Sequence, residues 1–322
     1  MKKFAMAAVA AAAMTVGVAQ AYTVGTFSNG VVVPNVIHNG AADTTAVGLI
    51  NQTASIVPVF WTFFNQDSGH VTDGCFPMTP KDFQPFVWSA QSGLGLEGAR
   101  GYLVFAVGDF AAAPAITTLN ACAAARSANL GAGLISANAF QVDLANSDVA
   151  FVPVIDGPLQ LAVGTDLSTM GPTSLEAVAG ALSTNNVVPA VAGSTLSMRY
   201  FVDGTLNGGN ETRIVVWSTG DQRGTHTVNM YDDAQNRKSV NFEMKFAELD
   251  FFNPETIPGR PAAFVDGFIE WAPFAVTPAD FPGVGGTDLA TVFAGGNGSI
   301  FSYSLISAPA FGAVQSVLGA HN

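Results

Sequence analysis

The sequence predicts an all-β protein, because strand patterns recur along almost its whole length. Short runs rich in Val, Ile, Thr and Phe are each closed by Asn, Gly or Ser, as in "TTAVGLINQT" and "SIVPVFWTFFNQDSG". Such residues fit a pleated, half-buried surface, and the closing residues favour turns. Other runs alternate apolar and polar residues, which is the period of a strand with one face in the core. We therefore expect a mostly antiparallel β-sandwich (Ig-like) architecture.

The N-terminal segment predicts export. Lys2 and Lys3 precede an apolar run that ends in the small-residue motif Ala19-Gln20-Ala21. This arrangement is typical of a secretory signal peptide over residues 1–21, cleaved before Tyr22. No later run reaches 18 uninterrupted apolar residues, so we expect no transmembrane segment. The protein is predicted to be secreted or to lie at the cell surface.

The remaining chain is predicted to form two packed β-sandwich-like units, over residues 22–190 and 191–322. The first unit contains the Ala-rich stretch "AAAPAITTLNACAAARSANLGAGL", which is expected to be a crossing loop with one short helix between Asn120 and Asn129. The segment "VVPAVAGS" marks the boundary. The second unit contains the strand patterns "RIVVWSTG", "GFIEWAPF" and "SIFSYSLIS".

A second short helix is predicted over "PTSLEAVAGALSTNN". Thr173 and Glu176 have the spacing of a capping box, in which each side chain bonds a free backbone amide of the first turn. Four apolar residues follow at helical spacing. They are Leu175, Val178, Ala179 and Leu182.

The clearest strand of the second unit is "SVNFEMKF". Its apolar residues, Val240, Phe242, Met244 and Phe246, alternate with Asn241, Glu243 and Lys245. The preceding strand "THTVNMYDD" and the intervening "DAQNRK" complete a predicted hairpin. We expect one face of this hairpin in the core and the other in water.

The two cysteines predict a disulfide. Cys75 and Cys122 are too far apart for a redox C-x-x-C motif, and no His stands at metal-ligand spacing from either. In an oxidising compartment two such thiols pair, and closing this loop stabilises a fold by roughly 3–5 kcal/mol. The alternative is a nucleophilic Cys75 with His70 as its base.

Composition and charge exclude several classes of partner. Only 11% of residues are charged, against about a quarter in an average soluble protein. The formal net charge is −12, and no basic run interrupts it. Such a surface repels phosphate groups, so neither nucleic acid nor anionic lipid is an expected partner.

Motifs of common enzymes and cofactor proteins are absent from the sequence. It contains no G-x-S-x-G, H-E-x-x-H, C-x-x-C-H or P-loop pattern, and no cofactor is predicted. The four histidines, His38, His70, His226 and His321, are scattered. His226 shares a strand face with Val228 and Met230, which favours a partly buried, hydrogen-bonded ring over a metal ligand.

Two weaker patterns leave ligand binding open. Asp232, Asp233 and Asn236 lie together and supply oxygen atoms of the kind that Ca²⁺ prefers, although the pattern of a calcium-binding loop is missing. A solvated hairpin turn is the simpler interpretation. Four tryptophans offer surfaces for stacking sugars, but each lies inside a strand pattern that favours core packing. They are Trp61, Trp88, Trp217 and Trp271.

Several stretches together resemble a family of exported Gram-negative surface proteins of uncharacterised function. They are "TTAVGLIN", "FNQDSGHVTDGCFPMTPKDFQPFVW", "ARGYLVFAV", "LISANAFQVDLANSDVAF", "TSLEAV" and "TRIVVWSTG". They are strand and turn patterns in the family's order and cover most of the chain after residue 21. The resemblance implies an exported all-β protein and assigns no catalytic residue.

The sequence therefore favours a non-catalytic surface or extracellular structural protein that associates with itself, as a homo-oligomer or filament. Strand pairing between copies is the expected mode, through "GVVVPNVI" and "SIFSYSLIS". The residues assigned to this contact are Val31, Val33, Phe301, Tyr303 and Leu305. The alternative function is a secreted carbohydrate-binding module or glycan-acting enzyme with a pair of carboxylates.

Overall fold

The computed structural model describes ten stretches of the chain. They are residues 26–40, 42–91, 96–111, 115–144, 147–178, 187–189, 195–202, 209–272, 299–308 and 312–321. The predicted signal peptide lies outside them. In these stretches every pairing between strands is antiparallel. The structure thus confirms the predicted all-β, mostly antiparallel sandwich architecture.

The first sandwich consists of two sheets, with strands numbered in chain order. Its outer sheet has the order β5 (Phe83–Val87), β2 (Asp43–Asn51), β7 (Ile135–Asp143), β8 (Asp148–Val152). Its inner sheet has the order β4 (His70–Met78), β3 (Val57–Asn65), β6 (Arg100–Val107), β1 (Gly30–Ile37), β9 (Ile155–Asp156). Apolar side chains between these sheets form what we call the first core.

The second sandwich repeats this arrangement. Its inner sheet has the order β12 (Val187–Pro189), β19 (Ser299–Ala308), β14 (Glu211–Ser218), β17 (Leu249–Phe252), and β20 (Ala313–Leu318) also pairs with β19. Its outer sheet has the order β16 (Arg237–Met244), β15 (Gly224–Asp232), β18 (Asp266–Trp271), β13 (Leu196–Phe201), β21 (Ala320–His321). The second core lies between them.

The two inner sheets pack against each other, so both of their faces are buried. In β3, Val59, Trp61 and Phe63 face the first core, whereas Phe60 and Phe64 face the opposite inner sheet. In β14, likewise, alternate residues face the second core and the first sandwich. We call this shared third layer the junction core. Strands buried on both faces explain why runs such as "VPVFWTFF" are continuously apolar rather than alternating.

The predicted helix over "PTSLEAVAGALSTNN" is wrong for its described part. Leu175–Val178 form strand β11, which pairs with β10 (Leu159–Leu161). The register shifts within this pair, so that Glu176 is an extra residue, a β-bulge. The bulge lets Leu175 and Val178 both pack into the junction core, which explains why their spacing resembles that of a helix. Residues 179–186 lie outside the described part of the chain.

Other local predictions are confirmed. The Ala-rich crossing loop contains the short helix α1 (Ala121–Ala124). Strands β15 and β16 form the predicted hairpin. In β16, Val240, Phe242 and Met244 are buried, whereas Asn241 and Glu243 are exposed.

Candidate functional site

The predicted disulfide between Cys75 and Cys122 is present, with 5.9 Å between the two Cα atoms. Cys75 lies in β4, which is an edge strand of the first inner sheet, and Cys122 lies in α1. Both side chains pack against the junction core. The bond therefore ties the crossing loop to the first sandwich, and neither thiol is free for nucleophilic chemistry.

The candidate metal ligands Asp232, Asp233 and Asn236 form a hairpin turn. The Asp232 carboxylate accepts hydrogen bonds from the backbone amide of Asn236 at 2.7 Å and from its side-chain amide at 2.8 Å. These bonds, led by the one from the Asn236 side chain, lower the pKa of Asp232. Asp233 is exposed beside them. Among the described residues, no three His, Cys, Asp or Glu side chains are grouped so that they could hold a metal ion.

His226 and the tryptophans occupy the cores. The His226 ring stacks on Phe242 at 5.5 Å, and its Nε2 lies 2.7 Å from the carbonyl oxygen of Gln222. Burial lowers the pKa of His226. All four tryptophans are buried, with Trp61 the most accessible at 9%. None of them therefore forms an exposed platform for a sugar.

The residues assigned to strand exchange lie inside the molecule. Val31 and Val33 are fully buried in the first core, and Phe301 and Tyr303 are fully buried in the junction core. Leu305 packs partly buried against the same layer. Strand β1 pairs with β6 and β9, and β19 pairs with β12, β14 and β20. Both strands thus complete sheets of their own chain.

A different surface stands out, namely the outer face of the first outer sheet, which we call the open face. Its strands place thirteen residues outward, and none of them is charged. They are Thr44, Ala46, Gly48, Ile50, Phe83, Pro85, Val87, Ser136, Asn138, Phe140, Val142, Val149 and Phe151. Phe83 is 61% exposed, Val149 56% and Phe140 40%. Exposed apolar side chains thus cluster on one sheet.

The open face is uneven, because large and small apolar side chains lie next to each other on it. Val87, Ala46, Phe140 and Phe151 form one row across the four strands. The Phe140 and Phe151 rings meet edge to face at 6.1 Å, forming a ridge on one side. Phe83 and Val87 of β5 form the other ridge. The Phe83 ring covers Gly48 of β2, where an added Cβ atom would lie 2.8 Å from the ring, and Ala46 lies between Val87 and Phe140.

The corresponding face of the second outer sheet is chemically different. Its outward positions carry five charged residues, which are Arg199, Arg237, Glu243, Asp266 and Glu270. One of its few exposed aromatics, Phe268, stacks on Tyr231 at 4.7 Å and is 40% exposed. The second outer sheet therefore has an ordinary solvated surface, and among the described residues of the two outer sheets only the first sandwich carries an uncharged outer face.

A cleft of about 630 Å³ lies beside the second sandwich, between its edge strands β16 and β17. Aromatic residues of both strands line it, together with charged residues of both signs. Phe251 in this cleft lies under two guanidinium groups, with Arg100 at 4.6 Å and Arg213 at 5.2 Å from its ring centre. Burial lowers the pKa of Arg100, and the nearby Arg213 lowers it further.

A buried polar cluster links the two sandwiches at the junction core. The Tyr102 hydroxyl donates a hydrogen bond to Glu248 and lies 2.5 Å from the Ser68 hydroxyl. All three residues are buried, and burial raises the pKa of Glu248 to about 8. Beside this cluster, the carbonyl oxygen of Gln66 accepts hydrogen bonds from the backbone amides of Glu248 and Leu249.

Sequence reasoning missed the open face and the Glu248 cluster for the same reason. Both depend on which strands become neighbours. The outward residues of "FQPFV" and "ISANAFQVD" are uncharged in the sequence, and this is a usable signal once their faces are known.

No helix in the described stretches is long and apolar enough to cross a membrane.

No family model matches the chain, and no curated protein matches it. Solved structures of oxalate decarboxylase are similar at a low level. One, described for a structural element that modulates proton-coupled electron transfer, is 11% identical over 90% of this chain and 68% of that chain, with a TM-score of 0.19. A deletion mutant of the Bacillus subtilis enzyme is 9% identical over the same shares, with a TM-score of 0.17. Scores this low do not establish a common fold.

Proposed function

We propose that this chain is an exported, non-catalytic surface protein that associates with itself through the open face. The observation that carries the proposal is the uncharged, apolar outer surface of the first outer sheet. Contiguous exposed apolar surface of this kind is typical of association sites. The disulfide supports export, because such bonds persist in oxidising compartments.

The edges of the same sheet favour association by faces over strand addition. At one edge, β20 lies against β8 through two hydrogen bonds. The Asp148 carboxylate accepts one from the backbone amide of Val314 at 2.6 Å, and the Ser316 hydroxyl donates the other to the carbonyl oxygen of Phe151 at 2.5 Å. At the other edge, Pro85 of β5 lacks a backbone N–H for pairing. Strand addition is therefore opposed at both edges, whereas the face is open.

A second copy of this chain fits the open face best. Because the net charge is −12, two copies repel each other in most relative orientations. The open face has no charged side chains, so two copies can make contact through it without bringing like charges together. A two-fold axis would place the open faces of two copies against each other. From strand spacings the face covers roughly 450 Å² per copy, which indicates a weak, reversible contact.

Sedimentation velocity over a wide range of protein concentrations tests this proposal. We expect reversible association that strengthens with salt, because salt screens the repulsion between copies. The double variant Phe140→Ser/Val149→Ser should remain monomeric with an unchanged melting temperature. Phe268→Ser removes an equally exposed aromatic from the other outer sheet and should associate like the wild type. A wild-type protein that stays monomeric at every concentration and salt level would refute the proposal.

A further inference from the structure

The cleft between β16 and β17 has the size and lining of a ligand site. Its volume of about 630 Å³ falls within the roughly 300–1,000 Å³ that small-molecule pockets occupy. It opens where two edge strands of different sheets diverge, and the short 3₁₀ turn Pro254–Thr256 borders it. The cleft lies in the second sandwich, so an inference about it does not depend on the self-association proposed above.

The apolar part of the cleft is aromatic. Phe242 and Phe252 stack at 4.1 Å and form a buried base. Phe246 is only partly buried and lines the cleft beside this base. The Phe251 ring is already covered by the guanidinium groups of Arg100 and Arg213 through cation–π contacts. A ligand therefore meets the Phe246 ring beside hydrogen-bonding groups.

The lining of the cleft carries three acidic and two basic side chains, so its charges nearly compensate one another. Glu211 accepts a hydrogen bond from the Asn253 side chain at 3.1 Å and lies 3.7 Å from Arg213. Exposed Glu243 and Lys245 contribute one charge of each sign. A strongly charged ligand gains little in such a site, whereas a neutral ligand with many hydroxyl groups finds both donors and acceptors.

An extended peptide pairing with the edge of β16 fits the cleft less well. The carboxylate of Asp250 already accepts the backbone amides of Lys245 and Phe246, just beyond the end of β16. Charged side chains also flank this edge, including Lys238 and Glu243, and charges on edge strands oppose strand addition. The cleft is therefore suited to recognition by side chains rather than by the backbone.

The geometry points to a neutral saccharide chain as the ligand of this cleft. The apolar C–H face of one of its rings would lie on Phe246, as sugars stack on aromatic side chains. Its hydroxyl groups would bond Asn241, Glu243 and Lys245 on the rim.

Titration of isotope-labelled protein with neutral trisaccharides, followed by NMR, tests the inference. The probes are maltotriose, cellotriose and tri-N-acetylchitotriose, compared with trigalacturonate and with an extended peptide. We expect at least one neutral probe to shift the signals of residues lining the cleft. Phe246→Ala should weaken that binding by about tenfold, the loss of roughly one aromatic contact.

Two further variants complete this test. Glu243→Ala changes an exposed side chain and should weaken binding without affecting the fold, while Phe268→Ala, outside the cleft, should bind like the wild type. Shifts with trigalacturonate or the peptide alone would overturn the inference. The absence of shifts with all neutral probes, or unchanged binding by both cleft variants, would do the same.

Discussion

The hydroxyl of Tyr102 in the first sandwich donates a hydrogen bond to the carboxyl group of Glu248 in the second. Both side chains are buried, and Glu248 Oε1 has no further hydrogen-bond partner among the described residues. Burial is the main reason why the pKa of Glu248 rises to about 8. The hydrogen bonds with Ser68 and Tyr102 act in the opposite sense and lower this pKa, but burial outweighs them, so Glu248 is favoured in its protonated form at neutral pH.

We expect this proton to make stability depend on pH. The pKa of Glu248 rises from 4.5 to about 8 on folding, so between these values only the folded state holds the proton and stability falls as pH rises. The lowered pKa of His226 acts in the opposite sense, and most of its effect falls below pH 6.5, its value in the unfolded state. From pH 6.5 to 8 the free energy of unfolding should drop by roughly 2 kcal/mol, as measured by urea denaturation.

Glu248→Gln should remove this pH dependence, since an amide keeps the acceptor for Tyr102 and does not titrate. Glu255→Gln, at an exposed position of the Pro254–Thr256 turn, should retain it. Parallel pH profiles for Glu248→Gln and the wild type would show that Glu248 is already ionised in the folded protein.

Loss of the disulfide should destabilise the fold. Cys75→Ser and Cys122→Ser should each lower the free energy of unfolding by about 4 kcal/mol, the loop-closure value for the 47-residue separation. Because either change breaks the same bond, the double variant should be no less stable than the single ones. Ala123→Ser, a neighbouring exposed position in α1, serves as the control. Additive losses in the double variant would contradict the pairing.

Gly101 should be intolerant of any side chain. A Cβ atom there would lie 1.9 Å from the carbonyl oxygen of Phe64 and 2.8 Å from the Phe63 ring, on the neighbouring strand β3. Backbone cannot yield as a flexible side chain does, so Gly101→Ala should cost roughly 3 kcal/mol or more, or prevent folding. Gly171→Ala, with no atom within 4 Å of its Cβ, should be nearly neutral. Equal denaturation midpoints for both variants would contradict the close packing of β3 on β6.

The predictions that succeeded from sequence rest on local chemistry. The alternation of Val240, Phe242 and Met244 with polar residues requires only that a strand has two faces, and the structure agrees. The pairing of Cys75 with Cys122 follows from the presence of two cysteines in a chain predicted to be exported. Where a bulge changes the period, as at Glu176, the same reasoning mistakes a strand for a helix.

The sequence by itself determined the all-β class, the β15–β16 hairpin and the disulfide. The first two follow from the period of the side chains and from turn residues, which are local in the chain, and the disulfide follows from there being two cysteines. Only the tertiary structure decided that Val31 and Tyr303 lie in interior strands and that Phe83 and Phe140 share an exposed face. Strand neighbours are chosen by contacts between residues far apart in the chain. The same long-range packing brought Tyr102 to Glu248, 146 positions later, and created the cleft between β16 and β17.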